Sequence, residues 1–421
     1  MQRYLQDEKT LKGCKIYKML LENANKEHLS FHTPGHKVGA WDITELSFSD
    51  NLASPQGCIL EAEREIAEIL GAKKSFILTD GSTSGVHSML YAARLLGVKK
   101  IAVCLRSHKS VFGGCKILGI TPLVYENGDN MVTLKDIFDG ADALFFTSPD
   151  YYGNIADWKS IRKYCDETGK FLLVDGAHGG HLHFDKERYA GAYADFWVDG
   201  VHKSLPAFTQ GAVVSARTEI LAEKLYEAVD IFRTTSPSYP IMASVEYAVK
   251  YPRNIELERR AKALQAHPRI VTNGDWTKIC AKFGKYAFQA EKELEKEGIY
   301  AEFCDGNVVM FYLSPATSIE DFERLENRLK SLFEKYPYEG KTEIQRDHAP
   351  LVLVENGETE WVDIKEAEGR ICANNCGLFP PCTPLILQGE KARKEKLLLL
   401  GKADNAFGVN EGKILVLKEK E

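Results

Sequence analysis

The chain predicts an α/β fold, a mainly parallel sheet covered by helices and followed by a smaller α+β domain. Three observations carry this. Apolar runs bounded by Gly, Asp or Ser recur as SFILTDG (75–81), KKIAVCL (99–105), TPLVYEN (121–127), ADALFFTSP (141–149) and KFLLVDGAH (170–178). Between them lie ILEAEREIAEILG (59–71), GVHSMLYAARLLG (85–97) and DWKSIRKYCDETG (157–169), each with apolar residues about 3.6 apart and a closing glycine. Strands buried on both faces and separated by helices form parallel sheets, because a parallel pair needs a crossover that a helix supplies. Third, the character changes after about residue 250: the charged helical YPRNIELERRAKALQAHPRI and KYAFQAEKELEKEG (285–298) precede strand-like IYAEFCD and NVVMFYLSP. A further charged helix, SIEDFERLENRLKSLFEKY (318–336), and the tail FPPCTPLILQGE follow. The expected division is an N-terminal helical and extended segment (1–49), a large α/β domain (50–250) and a small α+β domain (251–421).

Composition excludes several classes. With 421 residues and 44 % hydrophobic content the chain can build a sizeable core. Its net charge is −6, and basic residues are interspersed with acids throughout, which argues against a nucleic-acid face. No stretch has the apolar length of a signal peptide core or a bilayer span, so a cytoplasmic protein without membrane partners is expected. The ten cysteines contain no CxxC pair and are expected to be thiols. Cys372, Cys376 and Cys382 match no zinc spacing and read as small core residues; no metal is expected.

In open α/β sheets ligands collect at the carboxyl ends of strands, and polar residues follow these apolar runs at once. SFILT runs into Asp80-Gly81-Ser82-Thr83-Ser84-Gly85 before a helical pattern, a candidate phosphate cradle of backbone N–H groups and hydroxyls. IAVCL runs into Arg106-Ser107-His108, where the imidazole could lie flat against an aromatic ring. KFLLV ends in Asp175-Gly176-Ala177-His178, with His181 and His183 beyond. One reading of that cluster is a metal site; another has Asp175 holding a protonated ring nitrogen. In WVDGVHKSLPAFTQGA (197–212), Lys203 stands among Trp197, Val198, Val201, Leu205, Pro206, Ala207 and Phe208. An ammonium in such company snorkels to water, pairs or loses its proton, and a desolvated amine condenses readily with an aldehyde. A phosphate cradle, a planar residue, a carboxylate and a lysine on successive strands meet the needs of pyridoxal phosphate.

With these residues in place the sequence resembles the ornithine/lysine/arginine decarboxylase family. The matching pieces are FHTPGHK (31–37), DITELSFSDNLASPQGCILEAE (42–63), GSTSG (81–85), SHKSVFGG (107–114) and TSPDYYG (147–153). They continue with VDGAHGGHLHF (174–184), HKSLPAFTQGA (202–212), TTSPSYPIMAS (234–244) and FPPCTPLILQGE (379–390). The resemblance implies the pyridoxal-phosphate-dependent transferase fold of type I, of the aspartate aminotransferase kind, with a mainly parallel seven-stranded sheet and residues 50–250 as the cofactor domain. It implies that Lys203 carries the Schiff base, Asp175 pairs with the pyridine nitrogen and His108 stacks on the ring. Ser82, Thr83 and Ser84 would hold the phosphate, and Ala177, His178 and His202 would line the cofactor. Ser236 would reach the cofactor phosphate of a neighbouring subunit, which makes a homodimer with shared active sites the minimal unit.

The activity so implied is decarboxylation of lysine, ornithine or arginine to cadaverine, putrescine or agmatine, in polyamine biosynthesis, with Lys203 or a nearby histidine such as His178 reprotonating the α-carbon. An aminotransferase or lyase of the same fold and a catalytically silent paralogue stay open. Three positions depart from the family pattern. Gly200 stands where Ser-x-His-Lys has a hydroxyl, Asp80 replaces an asparagine before GST, and Pro380-Pro381-Cys382-Thr383-Pro384 replaces Pro-Pro-Gly-Ile-Pro. Gly200 removes one phosphate hydroxyl, and Asp80 is tolerable near a phosphate only if its charge points away.

Overall fold

Each of the apolar runs becomes a strand in the computed structural model, which describes residues 5, 7–27, 29–37, 41–125, 135, 138–338, 357–378, 382–402 and 405–418. They are β1 (Lys74–Leu78), β2 (Lys100–Cys104), β3 (Thr121–Tyr125), β4 (Ala143–Thr147) and β5 (Phe171–Gly176), joined by β6 (Phe196–Asp199) and β7 (Ala212–Ala216). The last two border the lysine-bearing stretch. Their apolar cores, FWVD and AVVSA, are fully buried. The seven strands form one sheet in the order β1-β7-β6-β5-β4-β2-β3. β2 is parallel to β3 and β4, and β5 is parallel to β6. β7 runs antiparallel to both neighbours. Its direction goes with its connection: residues 200–211 carry one helical turn, Val201–Ser204, and double back so that the His202 N–H donates to Gly211 O at 3.2 Å, with no full helix to make a crossover.

Two compact units emerge from the contacts, Met1–Gly97 with Phe146–Glu343, and Val98–Phe145 with Ile344–Glu421. In the first, helix Ser82–Leu95 follows β1 and presses on β6 so closely that a Cβ at Gly85 would stand 2.5 Å from Val198 Cγ2. The helix Trp158–Thr168 begins on an Asp157 cap and ends at Gly169 with φ 67°, as its closing glycine predicts. Further along the same unit, β8 (Lys278–Lys282), β9 (Phe303–Cys304) and β10 (Val308–Tyr312) make an antiparallel sheet in the order β8-β10-β9. Helices Ile255–Gln265, Ala287–Lys296 and Ile319–Lys335 share one core with it. The last of these buries Phe322, Leu325, Leu329, Leu332 and Phe333, one stripe of an otherwise charged helix.

The second unit contains β2, β3 and helix Lys109–Leu118, and two small antiparallel arrangements. Thr359–Asp363 pairs with Lys413–Leu417, and Cys376–Leu378 pairs with Pro384–Ile386 and Ala406–Phe407. Cys372 and Cys376 lie fully buried in its core beside Ile386, Ile414 and Val416. Cys382, beyond the first prolines of the tail motif, is partly exposed with φ 60°; Phe379, Pro380 and Pro381 of that motif fall outside the described residues. Among the described residues no helix is long and apolar enough to cross a membrane.

Candidate active site

The tight β6–β7 connection holds the lysine. Lys203 sits in the Val201–Ser204 turn, half-buried rather than enclosed as its apolar neighbours suggest, and its Nζ lies 3.3 Å from His178 Nε2. The turn is fixed from both sides: the His202 backbone N–H donates to Gly211 O at 3.2 Å, and its Nδ1–H donates to the same oxygen at 2.9 Å. Burial keeps the His202 imidazole below its ordinary pKa, opposed by the Gly211 carbonyl and reinforced by the Lys203 ammonium.

On the neighbouring strand, β5 ends in Asp175 and runs on into Ala177 and His178. Asp175 is 3 % exposed, and its Oδ1 accepts from Ala177 N at 3.0 Å. Burial pushes this carboxyl above its ordinary value, while the Lys203 ammonium and the Ala177 N–H pull it back. An acid, an amine and an imidazole therefore meet at the ends of two adjacent strands.

Ser82, Thr83 and Ser84 open the helix that follows β1, where the first N–H groups lack intrahelical partners. They are not equivalent. The Ser84 hydroxyl is occupied, 2.9 Å from both Asp80 Oδ1 and Gly81 O. Thr83 is exposed. The Ser82 Oγ is buried with no hydrogen-bond partner among the described residues. Gly200 explains how that oxygen fits: a Cβ there would stand 2.6 Å from Ala177 O and 2.7 Å from Ser82 Oγ. The missing serine of the Ser-x-His-Lys pattern is thus matched by a serine from another strand end filling the vacated space. Asp80 bridges two segments, its Oδ1 taking the Ser84 hydroxyl and its Oδ2 accepting from Thr234 N at 3.0 Å. That bond ties the cradle to the loop bearing Ser236, which is exposed and whose N–H donates to Thr234 Oγ1 at 3.2 Å.

The other histidines go elsewhere. His181 Nε2 lies 2.8 Å from Asp275 Oδ1, both side chains fully buried, and His183 Nδ1 bonds to Gly180 O at 2.7 Å. Burial lowers the His183 pKa to about 4. Among the described residues no three His, Cys, Asp or Glu side chains converge as metal ligands. In the second unit, His108 caps helix Lys109–Leu118, its Nδ1 2.8 Å from Ser110 Oγ and accepting from Ser110 N at 3.2 Å. A capping nitrogen fixes the ring's orientation.

Sequence reasoning passes over an aromatic wall and a second carboxyl. Tyr151 and Tyr312 lie edge-on to His178, with ring centroids 5.2 and 5.4 Å away. Tyr151 was visible inside TSPDYYG; Tyr312 ends an apolar strand and gives only the weak signal of a polar ring there. Asp199, the last residue of β6, accepts from Tyr189 OH at 2.6 Å, which in turn accepts from Trp197 Nε1 at 2.8 Å. Burial pushes Asp199 up to about 7, with Tyr189 and Trp197 opposing and the Asp175 charge adding to the rise.

Comparison with known proteins decides what this geometry belongs to. Residues 40–267 match the model of the Orn/Lys/Arg decarboxylase major domain, and residues 327–401 match that family's C-terminal domain. The chain belongs to the Orn/Lys/Arg decarboxylase family. It is accordingly an amino-acid decarboxylase, a carboxy-lyase, and its cofactor is pyridoxal phosphate. Similar curated proteins include an uncharacterized protein, YaaO, of Bacillus subtilis, 28 % identical over 96 % of this chain and 99 % of that one. The arginine decarboxylase of the same organism is 26 % identical over 91 % of this chain and 92 % of its own. Among solved structures, the constitutive lysine decarboxylase of E. coli superposes with a TM-score of 0.70 at 18 % identity, covering 97 % of this chain and 82 % of that one. That likeness establishes the fold.

The residues of this decarboxylase fit the cofactor. The buried Ser82 Oγ without a partner, at a helix N-terminus and in a space only glycine at 200 leaves open, suits a phosphate oxygen. Asp175 is a buried carboxyl of the kind that suits a protonated ring nitrogen, and the Lys203 charge pulls on it.

Proposed function

We propose that the enzyme decarboxylates a basic amino acid, lysine, ornithine or arginine, to the primary amine, in a homodimer whose subunits complete each other's sites. The observation that carries the chemistry is the 3.3 Å contact of Lys203 Nζ with His178 Nε2 at the mouth of two strands, beside buried Asp175. Relatives named arginine decarboxylase and lysine decarboxylase support the substrate class.

In this reading Lys203 would hold the cofactor through its aldehyde, and Asp175 would keep a proton on the ring nitrogen. His108 would be the residue that the family resemblance assigns to stacking on the ring. Ser82, the helix N–H groups of Thr83 and Ser84, and a Ser236 from a neighbouring subunit would hold the phosphate, and Ala177 and His202 would line the cofactor. Bound pyridoxal phosphate supplies the electron-withdrawing ring that accommodates the electron pair left when carbon dioxide departs. His178 or Lys203 then delivers one proton to the α-carbon, so that the carboxylate is replaced by hydrogen and the amine is released. The site residues would select the reaction by orientation, through which of the substrate's bonds they align for breaking. We place the enzyme in the cytoplasm, where buried thiols such as Cys115, Cys165 and Cys280 stay reduced, and its product among the polyamines and their precursors.

The test is a parallel assay with arginine, lysine and ornithine, following carbon dioxide and amine. At least one substrate should yield both in equal amounts, and Lys203→Ala should lose the turnover together with the visible absorbance of bound cofactor. Formation of a keto acid in place of carbon dioxide would assign an aminotransferase instead.

A further inference from the structure

Ser236 can serve a neighbouring subunit only if its own chain holds the loop that bears it. Arg233 and Asp80 anchor that loop at the end of β1. Arg233 follows helix Glu219–Phe232 and turns inward, 7 % exposed. Its Nη2 donates to Leu52 O at 2.6 Å and its Nη1 to Ile77 O at 3.4 Å, with Glu63 Oε1 3.8 Å away. Asp80, just past β1, holds the next position: its Oδ2 accepts from Thr234 N at 3.0 Å. Thr234 passes the constraint on, since its Oγ1 accepts from Ser236 N at 3.2 Å.

The anchors differ in what else they touch. Arg233 is enclosed, whereas Asp80 also reaches the cradle, its Oδ1 taking the Ser84 hydroxyl at 2.9 Å on the first turn of helix Ser82–Leu95. One carboxylate therefore joins the turn assigned to a subunit's own cofactor phosphate to the loop assigned to the neighbour's. The residue type suits that double duty: a carboxylate offers an oxygen to each donor, and an amide in its place still keeps one oxygen for Thr234 N. Its charge has a counterpart as well. Burial disfavours the Arg233 guanidinium, and the Glu63 charge, then the Asp80 charge, opposes that loss.

We propose that Asp80 is a positioning residue for the cofactor of the neighbouring subunit: by holding Thr234 at the end of β1, it fixes the loop whose Ser236 hydroxyl reaches the phosphate bound there. This deepens, and rests on, the shared-site reading above.

Mixed dimers test it. Chains with different affinity tags are co-expressed, one of them carrying Lys203→Ala, and the dimer retained through both tags is isolated. Cofactor titration then follows the visible absorbance of pyridoxal phosphate joined to the remaining Lys203, a readout of a single site and independent of turnover. Asp80→Ala in the Lys203→Ala chain, which lends Ser236 to that site, should raise the cofactor dissociation constant about tenfold, the scale of one hydrogen bond to a charged group. The same substitution in the chain that keeps Lys203 should cost no more than about twofold. Asp80→Asn in the lending chain, with an oxygen still available to Thr234 N, should recover most of the affinity. No loss in the first arrangement, or a loss as large in the second, would overturn the assignment, because Asp80 would then act on its own cradle or on the fold at large. Ser236→Ala in the lending chain is the control for the shared site itself. If that variant binds cofactor as the unsubstituted mixed dimer does, or if no dimer carries both tags, the shared-site reading falls and the positioning role falls with it.

Discussion

Lys203 and Lys278 lie in the same compact unit and are handled in opposite ways. Lys278 is fully buried, its Nζ 3.2 Å from Asp275 Oδ2, donating to Thr277 Oγ1 at 2.9 Å and standing 4.1 Å from the Tyr312 ring centroid. Burial alone would push the Asp275 carboxyl up, yet His181, Lys278 and Thr277 hold it far below its ordinary value. That amine is paired and closed to any reactant. Lys203 is half-buried, beside a histidine nitrogen and an acid whose pKa burial has raised. The difference teaches that depth of burial does not by itself single out a reactive amine: the fully buried one is locked in an ion pair, while the half-buried one, given the catalytic role in our proposal, stands beside a histidine nitrogen.

Breaking the closed pair should have the largest effect on stability. Asp275→Ala leaves the Lys278 ammonium buried without its carboxylate and should cost about 3–5 kcal/mol in urea unfolding. Lys203→Ala, which should end turnover if Lys203 has the role proposed above, should change stability by no more than about 1 kcal/mol. Equal losses from both would erase the distinction between the two lysines.

Gly200→Ala sharpens the comparison on the open side. The added methyl meets Ala177 O at 2.6 Å and Ser82 Oγ at 2.7 Å, so overpacking of about 1–3 kcal/mol is expected, with weaker retention of pyridoxal phosphate. Thermal unfolding and cofactor titration of the same preparation measure both. Full cofactor affinity in this variant would mean that Ser82 is not part of the phosphate cradle.

Asp199 gives an effect that shows only as a dependence of stability on pH, and its sign is clear. Its folded pKa, about 7, lies above the unfolded value, so the folded state keeps the proton longer. The stability it contributes is complete below the unfolded carboxylate range, near pH 4, and is lost as pH rises through 7, by at most about 1.4 kcal/mol per pH unit. Asp199→Asn, whose amide oxygen can still accept from Tyr189 OH, should flatten that decline in denaturant unfolding from about pH 4 to about pH 7. A wild-type curve already flat there would show Asp199 ionised in the fold.

The local parts were legible in the chain. Strands β1 to β5 and the helices between them follow from run length and periodicity, and the polar residues that end the strands fall where ligands collect. β6 and β7 were harder to read, because FWVD and AVVSA are short and flank a stretch that also looks apolar. Gly200 read as a lost hydroxyl, and became intelligible only when Ser82 was seen in its place. The HxxHxH spacing suggested ligands, yet His181 finds its partner at Asp275, beyond the reach of any local pattern.

By itself, then, the amino-acid sequence determined the alternation of strand and helix, the Asp175, His178 and Lys203 constellation at strand ends, and the family. Only the tertiary structure decided which lysine is half-open and which serine hydroxyl at the start of helix Ser82–Leu95 lacks a partner among the described residues. The physical reason is separation along the chain. Periodicity and turn chemistry act over a few residues, whereas Tyr151 with Glu302, His181 with Asp275 and Ser82 with Gly200 are neighbours only because packing brings distant segments together.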